Sequence, residues 1–188
     1  SKQNYVCLFL KFYNNDVNSV AFSTSRQTTN IFKFISIIEF LNKLNYKVII
    51  LGTNKDLGVI KLSNILKKSD KILNYEFYTD IDPDYNFRNL VFICSNSKFY
   101  IGNASGAIEI YYYLRNKALI FDSIDDGYYN KYVLDDRVYL LKKIKINDEK
   151  EKILDWLTVY QILDNQITNY EIIENSYLEI EKELKKLI

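Results

Sequence analysis

The stretch FYIGNASGAIEIYYYLRNKALIFDS, Phe99 to Ser123, decides the fold. A short apolar run ends in Gly-Asn-Ala-Ser-Gly. A helical pattern starts at once, with Glu109 near its beginning, and a second apolar run, Ala118–Asp122, follows. Strand, tight turn, helix and strand in close succession form the unit of a parallel sheet, because parallel neighbours need a crossover. The chain has five glycines, and two of them, Gly102 and Gly106, bracket this joint. Glycine there permits positive φ and close approach of a ligand to the backbone.

The same grammar extends outward. Tyr5–Tyr13 is a near-continuous apolar and aromatic run, as expected of a strand buried on both faces. Lys47–Gly52, Lys71–Tyr75, Lys98–Ile101 and Arg137–Leu141 read as further strands. Helical patterns lie between: Ile31–Leu44, Leu57–Lys68, a segment from Asp84 or Asn86 to about Asn96, and Ala107–Asn116. In the first of these, Lys33, Ser36, Glu39 and Asn42 form the expected polar stripe, and Thr28, Thr29 or Asn30 can cap its start. Apolar strands alternating with helices predict a parallel α/β sheet with helices on both faces. The tail reads as helical. Asn147 is expected to cap a helix with Ile153, Trp156, Leu157 and Tyr160 on one face. Ser176–Glu179 has the form of a capping box, before a last helix with Ile180, Leu184 and Leu187 inward. The expected organisation is a sheet domain over 1–146 and a helical extension over 147–188 packed on it, with Trp156 as the anchor.

Composition narrows the chemistry. The chain has 188 residues, 48% apolar and 26% charged, which predicts a packed globule of one domain or two small ones. The net charge of +1 hides an asymmetry: residues 1–147 carry net +6 and residues 148–188 net −5. A mildly basic body permits an anionic ligand, but it lacks the concentrated basic face of a nucleic-acid binder, so no nucleic-acid partner is expected. Cys7 and Cys94 sit in apolar runs and read as buried free thiols in a reducing compartment. There is no histidine. That removes His-based acid/base chemistry, Ser-His-Asp triads and His metal sites, and leaves Asp, Glu, Lys or Tyr as any base. No apolar run approaches membrane-spanning length and no signal peptide is visible, so a cytoplasmic location, including the inner face of the membrane, is expected. The chain opens on Ser1 and has no methionine, so a fragment of a longer protein is the expectation.

In an open parallel sheet, ligands bind beyond the carboxyl ends of the strands, near the point where the strand order reverses. There the Asn103, Ser105 and Gly106 turn and the first N–H groups of the following helix can cradle a phosphate. Glu109 would repel phosphate but fits a ribose diol one helical turn away. The plainer reading is a tight turn with Glu109 facing the helix dipole. The motif is not GxGxxG and lacks the P-loop lysine. Arg26, in the loop after the first strand, either neutralises a diphosphate or is a solvated loop arginine. Asp80–Asp84 reads as a solvated turn and helix cap rather than a metal cluster. Asp122, Asp125 and Asp126 either touch a sugar or base or form a polar turn. Tyr111–Tyr113 reads as core and surface of one helix.

YVCLFLKF, SRQTTN, NYKVIILG, KFYIGNASG, RVYLLKKI and IIENSYLEIEKELKKL occur in an order and spacing that resembles a family of bacterial glycosyltransferases of surface-polysaccharide biosynthesis. The resemblance covers almost the whole chain. It implies the C-terminal, donor-binding half of a GT-B fold, Rossmann-like, with an N-terminal domain on the longer protein. It implies a nucleotide-sugar donor as substrate, a carbohydrate acceptor, and no metal or cofactor. By position, Arg26 matches the family's arginine before the first helix, and Ser105 and Gly106 its Ser-Gly turn. Glu109 is placed like a ribose-binding glutamate, and Lys11 is a helper at the diphosphate. The departures fall on polar cleft positions. Where the family's first strand has His, Arg and Asp, this chain has Phe9, Lys11 and Phe12. Gln27 stands for an Asn and Ile50 for an Arg. The expected function is transfer of a sugar from a nucleotide-sugar to a surface glycan. The alternative is a non-catalytic nucleotide-sugar-binding or scaffold module of the same fold. A nucleotide-sugar epimerase is a third reading, disfavoured by the missing histidines. No catalytic base is assigned.

Overall fold

A computed structural model describes residues 4–10, 30–52, 57–69, 71, 73–79, 83–103, 107–124, 137–147 and 149–188. Six strands form one sheet: β1 (Tyr5–Phe9), β2 (Lys47–Gly52), β3 (Tyr75–Thr79), β4 (Tyr100–Asn103), β5 (Ala118–Ser123) and β6 (Arg137–Leu141). Their order is β3-β2-β1-β4-β5-β6, and every neighbouring pair is parallel. The helices between them are α1 (Phe32–Lys43), α2 (Leu57–Lys67), α3 (Pro83–Asn96) and α4 (Ala107–Leu114). This is the Rossmann-like α/β arrangement, with its reversal of strand order between β1 and β4.

The alternation of a strand's side chains builds two cores. Val6, Leu8 and Leu10 pack into one cluster with Phe34, Ile37, Ile38 and Leu41 of α1 and Leu62 and Leu66 of α2. Tyr5 and Cys7 face the other side, with Cys94 of α3 and Tyr111 of α4. A strand loaded on both faces must be apolar at nearly every position, which is why β1 reads as a continuous run. β3 is different. It lies at Tyr75–Thr79 rather than the expected Lys71–Tyr75, and Glu76 on it is exposed. It is an edge strand, so its apolar positions alternate with solvated ones and the apolar run that precedes it misleads.

Helices α1 and α2 connect β1, β2 and β3, so they cover that half of one face. The tail fills the rest of the face. Helix α6 (Tyr177–Leu187) places Ile180, Leu184 and Leu187 in the α1-side core, beside Leu119 and Phe121 of β5. Burying each of those three side chains contributes about 1.5–3 kcal/mol. The expected capping box is formed: Ser176 Oγ accepts from the Glu179 N–H, and the Glu179 carboxylate accepts from the Ser176 N–H at 2.8 Å.

The tail is not wholly helical, which corrects the expectation for 147–188. Strand β7 (Lys143–Ile146) pairs antiparallel with β8 (Lys152–Ile153) and β9 (Tyr170–Ile173), so a small sheet straddles position 146. Asn147 caps no helix. It sits in a left-handed turn, φ 48°, and Ile153 belongs to β8. Helix α5 (Trp156–Leu163) is capped instead by Asp155, whose side chain accepts from the Thr158 N–H at 2.7 Å. Ile-Lys alternation in Lys143–Ile146 is a two-period pattern, and β pairing takes it up. Trp156 packs against the cluster of Ile144, Leu154, Val159 and Ile162 under this small sheet. The anchoring to the large sheet falls to α6.

Candidate functional site at the carboxyl edge

The reversal of strand order places the ends of β1 and β4 side by side. Phe9 lies in register with Gly102. Gly102 is inside β4 rather than in the turn after it, and it has no positive φ. A Cβ there would fall far inside contact distance of the Phe9 carbonyl oxygen. The glycine therefore answers to the close approach of β1 and β4, not to a ligand. Asn103 ends β4, in register with Phe121, and is fully buried. Glu109 lies in the first turn of α4, and its side chain is outside what is described. Lys11, Arg26, Ser105 and Gly106 lie outside the described residues, as do Asp125 and Asp126. Of the expected binding set, the structure thus brings Asn103 and the backbone of Glu109 to the switch point.

A second group at the same edge was not expected as a unit. Lys33, assigned to a polar stripe, is buried, while Phe32 beside it is 66% exposed. The inversion has a cause. Lys33 Nζ donates to Asp122 Oδ2 at 2.6 Å, to Glu174 Oε2 at 2.8 Å and to the Asn175 carbonyl at 3.1 Å. An ammonium has three donors, so all are used. Asp122, next to last in β5, has a left-handed φ of 52°. Its N–H donates to Asn175 Oδ1, and the Asn175 N–H donates back to Asp122 Oδ1, both at 2.7 Å. Asn175 Nδ2 also donates to the Leu141 carbonyl at 3.0 Å, which adds the end of β6. One cluster thus ties the starts of α1 and α6 to the ends of β5 and β6.

Burial sets the electrostatics of this cluster. It pushes the Asp122 carboxyl above its ordinary value, against the pull of Lys33. It pushes the nearby Lys142 ammonium down, against the attraction of Asp122 and Glu174. Burial thus disfavours the charges of Asp122 and Lys142, and the opposite charges around them work against it. Of the two readings open for Asp122, its full burial leaves neither a sugar contact nor a solvated turn. It is a strut. Beside it, Asn30, Phe32, Lys33, Ser36 and Glu174 help line a pocket of about 310 Å³ at the mouth of α1 and α6. Asn30 Oδ1 accepts from the Phe32 N–H at 3.0 Å, but the N-cap position of α1 is Ile31, which has no side-chain cap bond, and the other two candidate caps, Thr28 and Thr29, lie outside the described residues. The only sequence signal for the cluster was a lysine among Phe and Ile residues on a helix.

Beneath the edge, on the α3–α4 side, Cys7 and Cys94 are buried free thiols, as expected. Burial raises the Cys7 thiol, while a hydrogen bond from Cys7 lowers Cys94. Among the described residues no helix is long and apolar enough to cross a membrane.

No family model matches the chain, and no curated protein matches it. Solved structures do. The chain resembles E. coli ADP-heptose LPS heptosyltransferase II at TM-score 0.56 and 11% identity, over 88% of this chain and 46% of that one. A more distant likeness is to TibC, an iron-containing dodecameric glycosyltransferase of enterotoxigenic E. coli, at TM-score 0.42 and 16% identity, over 62% and 26% of the two chains. The chain spans just under half the length of the heptosyltransferase. At such identity the likeness speaks for the fold, and the fold is the Rossmann-like α/β sheet of GT-B glycosyltransferases.

Proposed function

We propose that this chain is the nucleotide-sugar-binding half of a glycosyltransferase that acts on a carbohydrate acceptor. The observation that carries the reading is the β4–α4 joint. β4 ends at Asn103 at the point where strand order reverses, and α4 starts at Ala107 with Glu109 in its first turn. The fold likeness to an ADP-heptose heptosyltransferase supports the same reading. In this proposal the α4 start, with Ser105 and Gly106, receives the diphosphate by backbone N–H groups and helix dipole. Arg26 and Lys11 neutralise it from the loop after β1. Glu109 accepts from the ribose hydroxyls. No metal is needed where a helix start and basic side chains stabilise the leaving diphosphate. The acceptor side and the base belong to the rest of the longer protein.

A thermal-shift screen against ADP, UDP, GDP, CMP, dTDP and their sugars tests this, because a ligand of the native state alone raises Tm by mass action. One nucleotide is expected to shift Tm, and Arg26→Ala and Glu109→Ala each to weaken it with the fold intact. Unchanged affinity in both variants would sink the site. The second reading, a binding module without turnover, is favoured by Phe9 at the family's histidine position. Donor hydrolysis by the full-length protein separates the two.

A further inference from the structure

The opposite edge of the sheet holds a site of different character. Tyr46 precedes β2, Lys98 and Phe99 precede β4, and Arg115 and Lys117 precede β5. All strands are parallel, so these residues gather at the amino-terminal edge, away from the switch-point loops. With Leu187 of α6 and Ile188 they line a pocket of about 350 Å³. Its inner wall is apolar: Phe99 is 2% exposed and Leu187 7%. Tyr46 and Phe99 meet edge to face, ring centres 5.8 Å apart. Its rim is cationic, with Arg115 and Lys117 exposed and Lys98 half-buried.

Among the described residues, Lys47, Lys71, Lys143, Lys185 and Lys186 are each paired with a glutamate on the surface. Lys98, Arg115 and Lys117 have no ion pair among the described residues, and no acidic side chain lines the pocket. The backbone holds them in place. The Lys98 N–H donates to the Tyr5 carbonyl at 2.9 Å, and the Lys117 carbonyl accepts from the Tyr100 N–H at 3.0 Å. Like charges gathered at one rim repel each other, and an anion placed among them relieves that. A guanidinium and two ammonium groups suit a phosphate, and an aromatic wall behind them suits a flat apolar group.

We infer that this pocket binds a small phosphate monoester carrying an aromatic or similarly flat apolar group. The charges ring a cavity of ligand size instead of spreading over a flat surface, which favours a small molecule. The site is independent of the proposed donor site, since it lies at the other end of the strands and shares no residue with it.

Phenyl phosphate, inorganic phosphate and benzyl alcohol serve as probes, titrated into the chain and followed by ¹H–¹⁵N NMR. Saturable shifts at Lys98, Phe99, Arg115 and Lys117 are expected with phenyl phosphate. Inorganic phosphate should bind more weakly, and benzyl alcohol should leave those amides unmoved. The double variant Arg115→Gln/Lys117→Gln should weaken phenyl phosphate roughly tenfold or more. Both side chains are exposed, so its Tm without ligand should be unchanged or higher, as fits removal of repulsion. Absence of saturable shifts up to millimolar phenyl phosphate, or full affinity in the double variant, would overturn the proposal. So would equal binding of benzyl alcohol, since the cations would then contribute nothing.

Discussion

Lys33 shows how one residue can reverse its expected role. On a helical wheel it belongs to the solvated stripe, yet two carboxylates and a carbonyl from distant parts of the chain draw its ammonium inward. Lys33→Met leaves the buried Asp122 and the half-buried Glu174 without the ammonium that donates to them. The expected loss is about 3–5 kcal/mol, measured by urea denaturation. Lys33→Met combined with Asp122→Asn should lose much less than the sum of the single losses, because the two groups stabilise each other. Gly102 is the second decisive residue. Gly102→Ala must push β4 away from the Phe9 carbonyl, at a cost of about 1–3 kcal/mol read from the same denaturation midpoints. If Gly102 served a ligand instead, the alanine variant would keep its stability and lose binding.

At the scale of elements, α6 closes the half of the sheet face that α1 and α2 cannot reach. Its packing residues were legible from their spacing, since Ile180, Leu184 and Leu187 recur at helical intervals. Leu184→Ala should cost about 2–5 kcal/mol. The cap of α6 carries a pH dependence. The Ser176 N–H, helped by the Ser176 hydroxyl and Lys143, holds the Glu179 carboxyl below its ordinary 4.5. A depressed carboxyl contributes stability above its unfolded pKa and loses it as pH falls through the folded one. Stability of the chain should therefore drop on acidification below about 4.5. Glu179→Gln should flatten that part of the profile, measured as unfolding free energy from pH 6 to pH 3. Element boundaries were less legible where polar residues intervene. β3 was misplaced because an edge strand keeps a wet face, and β7 and β8 went unread because a short alternating segment has no partner in the sequence to identify it.

Across the whole molecule, the two cores are separated by the sheet, and the α3–α4 side encloses both thiols. Cys7 and Cys94 should resist a thiol reagent in the native protein and react together once denaturant unfolds it. Fast labelling of one thiol in the native state would show that the α3–α4 side opens separately from the rest. The two edges of the sheet also divide the chemistry. The carboxyl edge carries the Lys33–Asp122 strut beside the switch point. The amino edge gathers Lys98, Arg115 and Lys117 without an acidic side chain among the lining residues. Four of the tail's glutamates are committed elsewhere: Glu174 to Lys33, Glu179 to Lys143 and its own cap, Glu181 and Glu183 to the lysines of α6.

The sequence by itself determined the class of fold. Doubly buried strands are apolar at almost every position, helices show their periodicity, and crossovers leave no other regular arrangement for such an alternation. It also determined the α6 cap, which is local chemistry within four residues. The tertiary structure alone decided what depends on contacts between distant residues. Lys33 and Glu174 are 141 positions apart, and nothing local marks either as a partner. Gly102 looked like a turn residue until the neighbouring strand was in place. The cationic pocket draws on residues before three different strands and the end of α6, and only the parallel sheet brings them together.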